Sequence, residues 1–327
     1  MARLPEMDTR VVAGFTRYAC VGRPAGASPS SPRPLVLWFH PGGLGADNLS
    51  ETQLPGRYAS FDLGGPNPDA GPTGAGFFLV AIQGRNLRFP TLANRDGRHH
   101  DFYFRDLASP STNPDVAYAD ALVDDLVATG NVDPRRIYVM GWSNGAFFGQ
   151  LYALARHATP TPGGSYVAAA SVFSAGNPFE EVRWDVFAGT PRVGPTSCQV
   201  APPAVTVPIQ MVYRTCDAAV AVSAEQAACF ETEPGYTTVD WLGSAATAGL
   251  TITPLMLAGR ERGNTDATAG TVTTFGGTCP VSCPLPLTVA CVCLQNHLLW
   301  PDGAYDNNST GLDRELDMLQ FLKAHPR

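Results

Sequence analysis

The residues best suited to chemistry lie in the pentapeptide Gly141-Trp142-Ser143-Asn144-Gly145. It follows the apolar run Ile137 to Met140 and precedes an amphipathic stretch carrying Phe147, Phe148, Leu151 and Leu154. Where a strand turns sharply into a helix at such a Gly-x-Ser-x-Gly, the serine is strained and its Oγ is exposed at the carboxyl end of the sheet. The flanking glycines keep side chains out of the crowded turn. The helix N-terminus beyond it offers N–H donors and a dipole favourable to a developing oxyanion. Ser143 is therefore the candidate nucleophile for acyl transfer, and the amide of Asn144 is one candidate oxyanion donor.

A second donor is expected from a loop after an earlier central strand. His40-Pro41-Gly42-Gly43-Leu44-Gly45 follows the buried run Leu35 to Phe39 and fits that place. Pro41 has no N–H, so the donor falls to Gly42 or Gly43, and Gly42 is the choice. His40 precedes the serine and is expected to orient the loop. With the order nucleophile, acid, base, three of the six histidines follow Ser143, and His157 falls within the helix that the serine opens, which leaves His297 and His325. His325 sits in a tail expected to fray, which leaves His297 as the general base. His99 and His100 read as solvated loop residues, and His157 as a cation at a helix C-terminus. The acid is expected just past a buried strand end, and Asp217, after Ile209 to Tyr213, meets that condition. It would accept Nδ1–H of His297, fix its tautomer and stabilise the imidazolium. Asp240, after the shorter run Tyr236 to Val239, is the reserve.

These groups need a scaffold. Strands are expected over Val11 to Cys20, Leu35 to His40, Phe77 to Ile82, Ile137 to Met140, Val167 to Phe173, Ile209 to Tyr213 and Thr251 to Leu257. Several are continuous apolar runs, the mark of strands buried on both faces. Helices are expected over Asp115 to Ala128, after Ser143, and over Leu312 to Ala324. Such alternation predicts an α/β protein with a mostly parallel central sheet and helices on both faces. One catalytic domain over 1–327 is the simpler organisation, with loop insertions near 177–207 and 259–290 that suit lids or binding walls.

Composition narrows the function. The chain has 327 residues, 44% hydrophobic and only 16% charged, with a net charge of −7. With no Lys/Arg cluster, nucleic acid and anionic membranes are not expected partners. No apolar run reaches membrane-spanning length. The eight cysteines, an even set mostly in loop-like sequence, suit disulfides and an oxidising compartment, secreted or periplasmic. Met1 to Arg10 lacks the apolar core of a secretory signal, so export requires that a signal has been removed. Zinc is the rival use, because Cys279, Cys283, Cys291 and Cys293 cluster, but their spacings miss the usual repeated pair. A bridge from Cys216 to Cys291 or Cys293 would tie the acid loop to the base loop, with Cys216 to Cys229 as the local alternative.

With these residues in place, the chain resembles the α/β-hydrolase esterases of the polyhydroxybutyrate-depolymerase and feruloyl-esterase type, from about Leu35 to Trp300. The strongest block is Asp120-Ala-Leu-Val-Asp-Asp-Leu-Val, then Asn131-Val-Asp-Pro-Arg-Arg-Ile-Tyr-Val-Met-Gly-Trp-Ser-Asn-Gly145. Around the acid, Tyr213-Arg214-Thr215-Cys216-Asp217 keeps the Thr and Asp of the family pattern and loses its His-Gly. Around the base, Asn296-His297-Leu298-Leu299-Trp300-Pro301 keeps His and Trp-Pro with one extra residue. His40-Pro41-Gly42 replaces a more usual His-Gly. The resemblance implies an α/β-hydrolase fold and ester hydrolysis through an acyl-enzyme, with no metal or organic cofactor. The substrate would be an aromatic (feruloyl-type) or polymer-linked ester, polyesters included, with a hydroxyalkanoate or an acetylated xylan as the alternatives. Trp142 and Trp300 either stack on an aromatic acyl group or pack in the core. A prolyl-oligopeptidase-type peptidase and a non-catalytic binding protein on the same fold are the readings from other classes.

Overall fold

Alternation along the central strands sets the layers. In β3 (Arg33–Phe39), Leu35, Leu37 and Phe39 join one apolar cluster while Val36 and Trp38 join another. The same split occurs in β4 (Phe78–Ile82) and in β5 (Val132–Trp142), where Ile137 and Val139 face one way and Tyr138, Met140 and Trp142 the other. A strand with period-2 side chains and no polar face must be covered twice. On the first side lie α2 (Pro114–Ala128), α3 (Asn144–Ala158) and α4 (Thr238–Thr247). The second side is covered by α1 (Leu54–Arg57) and α5 (Arg314–Ala324). The computed structural model describes residues 4–64, 75–85, 97–101, 108–179, 184–185, 190–191, 204–214, 238–257, 297, 300–302 and 313–327.

The remaining strands are β1 (Glu6–Val12), β2 (Phe15–Gly22), β6 (Ala169–Phe173), β7 (Trp184–Asp185), β8 (Thr190–Pro191), β9 (Ile209–Arg214) and β10 (Ile252–Leu257). Eight of the strands form one sheet in the order β1-β2-β4-β3-β5-β6-β9-β10. β2 runs antiparallel to both β1 and β4, and every other neighbouring pair is parallel. This order, with its one reversed strand second, is an α/β-hydrolase fold. β7 and β8 pair as a two-residue ribbon inside the first insertion; the second insertion, 259–290, lies outside the described residues.

Two expectations are corrected here. Val11 to Cys20 is not one strand but the middle of a hairpin, because Ala13 and Gly14 take φ of 50° and 81° and reverse the chain. Two consecutive left-handed residues make the tight turn that suits twisted strands. Ala-Gly is not the usual sequence for it, and the flanking valines mask the break. Of the run Tyr236 to Val239, expected to end a strand, the described Thr238 and Val239 are helical. Thr238 opens α4, so Asp240 sits in a helix. Cys20 lies in β2, half-buried and free. The other seven lie outside the described residues, and so do the bridges from Cys216 and the cysteines considered for zinc. Among the described residues, no helix is long and apolar enough to cross a membrane.

Candidate active site

Ser143 caps β5 and opens α3 with φ 53° and ψ −120°, a strained conformation for a residue other than glycine. Its backbone is fixed from both sides. The Ser143 amide donates to the carbonyl of Phe173 at 3.0 Å, and its own carbonyl accepts from Ala146 and Phe147 at 2.8 and 3.0 Å. The pentapeptide glycines are required sterically. A Cβ on Gly141 would stand 2.3 Å from the Gly145 carbonyl oxygen, and one on Gly145 would stand 2.1 Å from that of Phe39. The turn is thus pressed against β3, and Ser143 is left half-buried with its hydroxyl toward the carboxyl edge of the sheet.

His297 meets that hydroxyl. Its Nε2 lies 2.5 Å from Ser143 Oγ, and its Nδ1 lies 2.6 Å from the Oγ of Ser174. With Nε2 accepting the Ser143 proton, the ring hydrogen of the neutral imidazole must sit on Nδ1 and point at Ser174. The base is anchored from its backbone as well, because Trp142 Nε1–H donates to the His297 carbonyl at 2.9 Å. Asp217 lies outside the described residues. His325 is remote from this cluster: its Nδ1 pairs with the Phe321 carbonyl at the end of α5.

The Pro41-Gly42 turn completes the cleft floor. Gly43 N–H donates to the Arg98 carbonyl at 2.8 Å, whereas among the described residues no acceptor takes the Gly42 amide. Asn144 opens α3, where first-turn amides lack intrahelical carbonyls. Its side chain clamps the neighbouring loop, accepting from His100 N–H at 2.7 Å and donating to the His100 carbonyl at 3.1 Å. His40 is fully buried. Its Nδ1–H donates to the Pro41 carbonyl at 2.8 Å while Nε2 accepts from Gly84 N–H at 3.0 Å. Burial pushes its pKa down to about 4, so it is a neutral structural brace for the loop.

His99 and His100 are not solvated, contrary to expectation: both are buried. His99 packs against Gly42, where an added Cβ would meet its Nε2 at 2.8 Å. The His100 ring stacks on Phe148 and abuts Phe39 and His40. The reason lies at the start of α2. Asn113 caps that helix by accepting from Asp115 and Val116 amides, and its Nδ2 donates to the Asp101 carbonyl at 2.6 Å. Asp115 accepts from the Asp101 amide at 2.7 Å and pairs with buried Arg17. The loop is thereby pulled inward over the elbow. His157 is also corrected: burial lowers its pKa, more than the hydrogen bond between Nδ1 and the Val167 carbonyl raises it.

No protein-family model matches the chain, and no curated sequence does. Among solved structures it is similar to Thermogutta terrifontis esterase 2 phosphorylated by paraoxon, at 18% identity over 78% of this chain and 84% of that one, with a TM-score of 0.44. The butyrate-bound esterase Est2 of the same organism gives 19% identity, 78% and 84% coverage, and a TM-score of 0.43. Porphyromonas gingivalis dipeptidyl peptidase 4 gives 13% identity over 78% of this chain and 32% of that one, with a TM-score of 0.43. The fold assignment rests on the strand order of the central sheet.

Trp142 and Trp300 take the packing alternative. Both are buried, 5.6 Å apart between ring centroids, and each also contacts Phe173. Trp300 Nε1–H donates to Glu315 Oε2 at 2.7 Å, and the same oxygen accepts from the Gln53 amide at 2.9 Å. Burial pushes the Glu315 carboxyl up to about 7 despite nearby Arg57. The segment after His297 is thus held to α5 and to the start of α1. Sequence reasoning missed Ser174 and Glu315. Ser174 had one signal, its place just past the apolar run beside the nucleophile's strand; Glu315 had none.

Proposed function

We propose that the protein is a serine hydrolase of carboxylic esters that works through an acyl-enzyme. The observation that carries this reading is the 2.5 Å contact between Ser143 Oγ, on a strained elbow, and His297 Nε2. Ser143 Oγ attacks the ester carbonyl carbon as its proton passes to Nε2. The oxyanion is received by the amides of Gly42 and Asn144. Collapse expels the alkoxide, which takes the proton from Nε2 and leaves as the alcohol. Water then attacks the acyl-enzyme by the same route, giving the acid and free Ser143. Asp217 remains the proposed acid. No step asks for a metal or organic cofactor.

The proposed substrate is an ester carried on a polymer, in line with the sequence resemblance. With Trp142 and Trp300 packed inside, the case for stacking an aromatic acyl group loses its residues. Hydroxyalkanoate esters therefore rank ahead of feruloyl esters. A panel of p-nitrophenyl butyrate, polyhydroxybutyrate, methyl ferulate, acetylated xylan and a peptide anilide tests this. The expected result is a burst of p-nitrophenol and then steady turnover, with kcat/KM falling at low pH as the base is protonated. Cleavage of the anilide with no ester turnover would reassign the enzyme as a peptidase.

A further inference from the structure

Ser174 is a second serine on the catalytic imidazole, and its position is built. It follows β6, the strand paired with β5, and takes φ 62°, which a serine adopts only when its surroundings impose it. Its amide donates to the Val212 carbonyl at 2.8 Å, so β9 fixes its backbone. It is fully buried, unlike Ser143, so substrate cannot reach it. Its Oγ lies 2.6 Å from His297 Nδ1, the atom that an acid partner is expected to hold.

We propose that Ser174 is a positioning residue that sets the tautomer and orientation of His297 by sharing its Nδ1–H with the proposed acid, Asp217. This inference rests on the ester-hydrolase reading of Ser143 and His297. A hydroxyl accepts from Nδ1 while keeping its own O–H to donate onward. It holds the ring with Nε2 bare toward Ser143 before substrate arrives, and it keeps the Nδ1 hydrogen in place when Nε2 is protonated. The nucleophile's proton moves only between Ser143, Nε2 and the leaving group, and Ser174 changes no covalent bond. A hydrogen bond to a group that becomes charged in the reaction is worth more than one between neutral partners, so the effect should fall on kcat rather than on KM.

The experiment compares four purified proteins, parent, Ser143→Ala, Ser174→Ala and Ser174→Asp, on p-nitrophenyl butyrate across pH 5 to 9, with thermal melting of each. Ser143→Ala should be inactive; full activity there would overturn the ester-hydrolase reading itself. Ser174→Ala should keep the melting temperature and KM while kcat falls about 10–100-fold. Asp tolerates positive φ, and a second carboxylate at Nδ1, beside that of the proposed acid, favours the protonated ring. Ser174→Asp should therefore move the acid limb of kcat/KM to higher pH. A merely structural serine would not move that limb. If Ser143→Ala is dead yet folded Ser174→Ala keeps the parent's kcat, the positioning role is overturned alone. If Ser174→Ala does not fold, the limb of Ser174→Asp decides, and a limb left at the parent's pH overturns the role.

Discussion

The turns that end β5 and β6 share a plan and differ in the chain beyond them. Each begins with a serine at positive φ, each serine amide donates to the neighbouring parallel strand, and both hydroxyls contact the His297 imidazole. After Ser143 comes α3, whose first-turn amides face the cleft end of the sheet, and the hydroxyl is half-exposed. After Ser174 come Ala175, Gly176 and Asn177 with no helix, and the hydroxyl is sealed. Strain and contact with a base do not by themselves make a nucleophile. A helix N-terminus beside the hydroxyl and room for a carbonyl make the difference.

That contrast can be broken by mutation. The largest effect is expected at Ser143→Ala, which should lower kcat at least about 10⁴-fold with the fold intact, checked by turnover and circular dichroism. Next is Gly145→Ala. Its Cβ would collide with the backbone of Phe39, which no side-chain shift relieves, so urea denaturation should show a loss of about 3 kcal/mol.

Acid should act through His40, which braces the oxyanion turn in the neutral form. Its folded pKa of about 4 lies below the ordinary histidine value of 6.5, so below pH 6.5 the unfolded chain binds the extra proton first. The stability it contributes is fully present above pH 6.5 and is lost as pH falls toward 4. The loss should be roughly 3 kcal/mol, from about 2.5 pH units at 1.36 kcal/mol each. Glu315 runs the other way. Its raised pKa favours the folded state at low pH and withdraws that stability as pH rises from 4.5 through about 7. The His40 effect is therefore read as the difference between parent and His40→Gln in denaturant midpoints at pH 7 and pH 4.5. That difference should shrink in acid, and a constant one would contradict the brace. The smallest effect is expected for Trp142→Phe, which keeps the ring packing and removes only the N–H to the His297 carbonyl. A loss of about 1 kcal/mol, roughly fivefold in kcat at constant KM, should be seen in steady-state kinetics.

The scaffold of the nucleophile was legible because its signals are local. Apolar runs marked β3, β4 and β5, helical spacing marked α2 and α3, and Gly141 and Gly145 marked the elbow between them. The surroundings of the base were less legible because they depend on contacts distant in sequence. Ser174 meets His297 across 123 residues, and the loop of His99 and His100 is held by Asn113 and Asp115 through Asp101 and by Asn144 through His100. A polar residue in a loop carries no periodicity that announces such a partner. The tryptophans beside the nucleophile and base had two physical uses, and packing against Phe173 took both.

The central claim is that Ser143, and not its neighbour on the same imidazole, carries the acyl group. A serine-directed p-nitrophenyl phosphonate, then proteolysis and mass spectrometry, tests it most directly. The structure predicts stoichiometric loss of activity with the label on the peptide containing Ser143, and no label on the peptide containing Ser174. Label on Ser174, or full inactivation with Ser143 unmodified, would contradict the assignment.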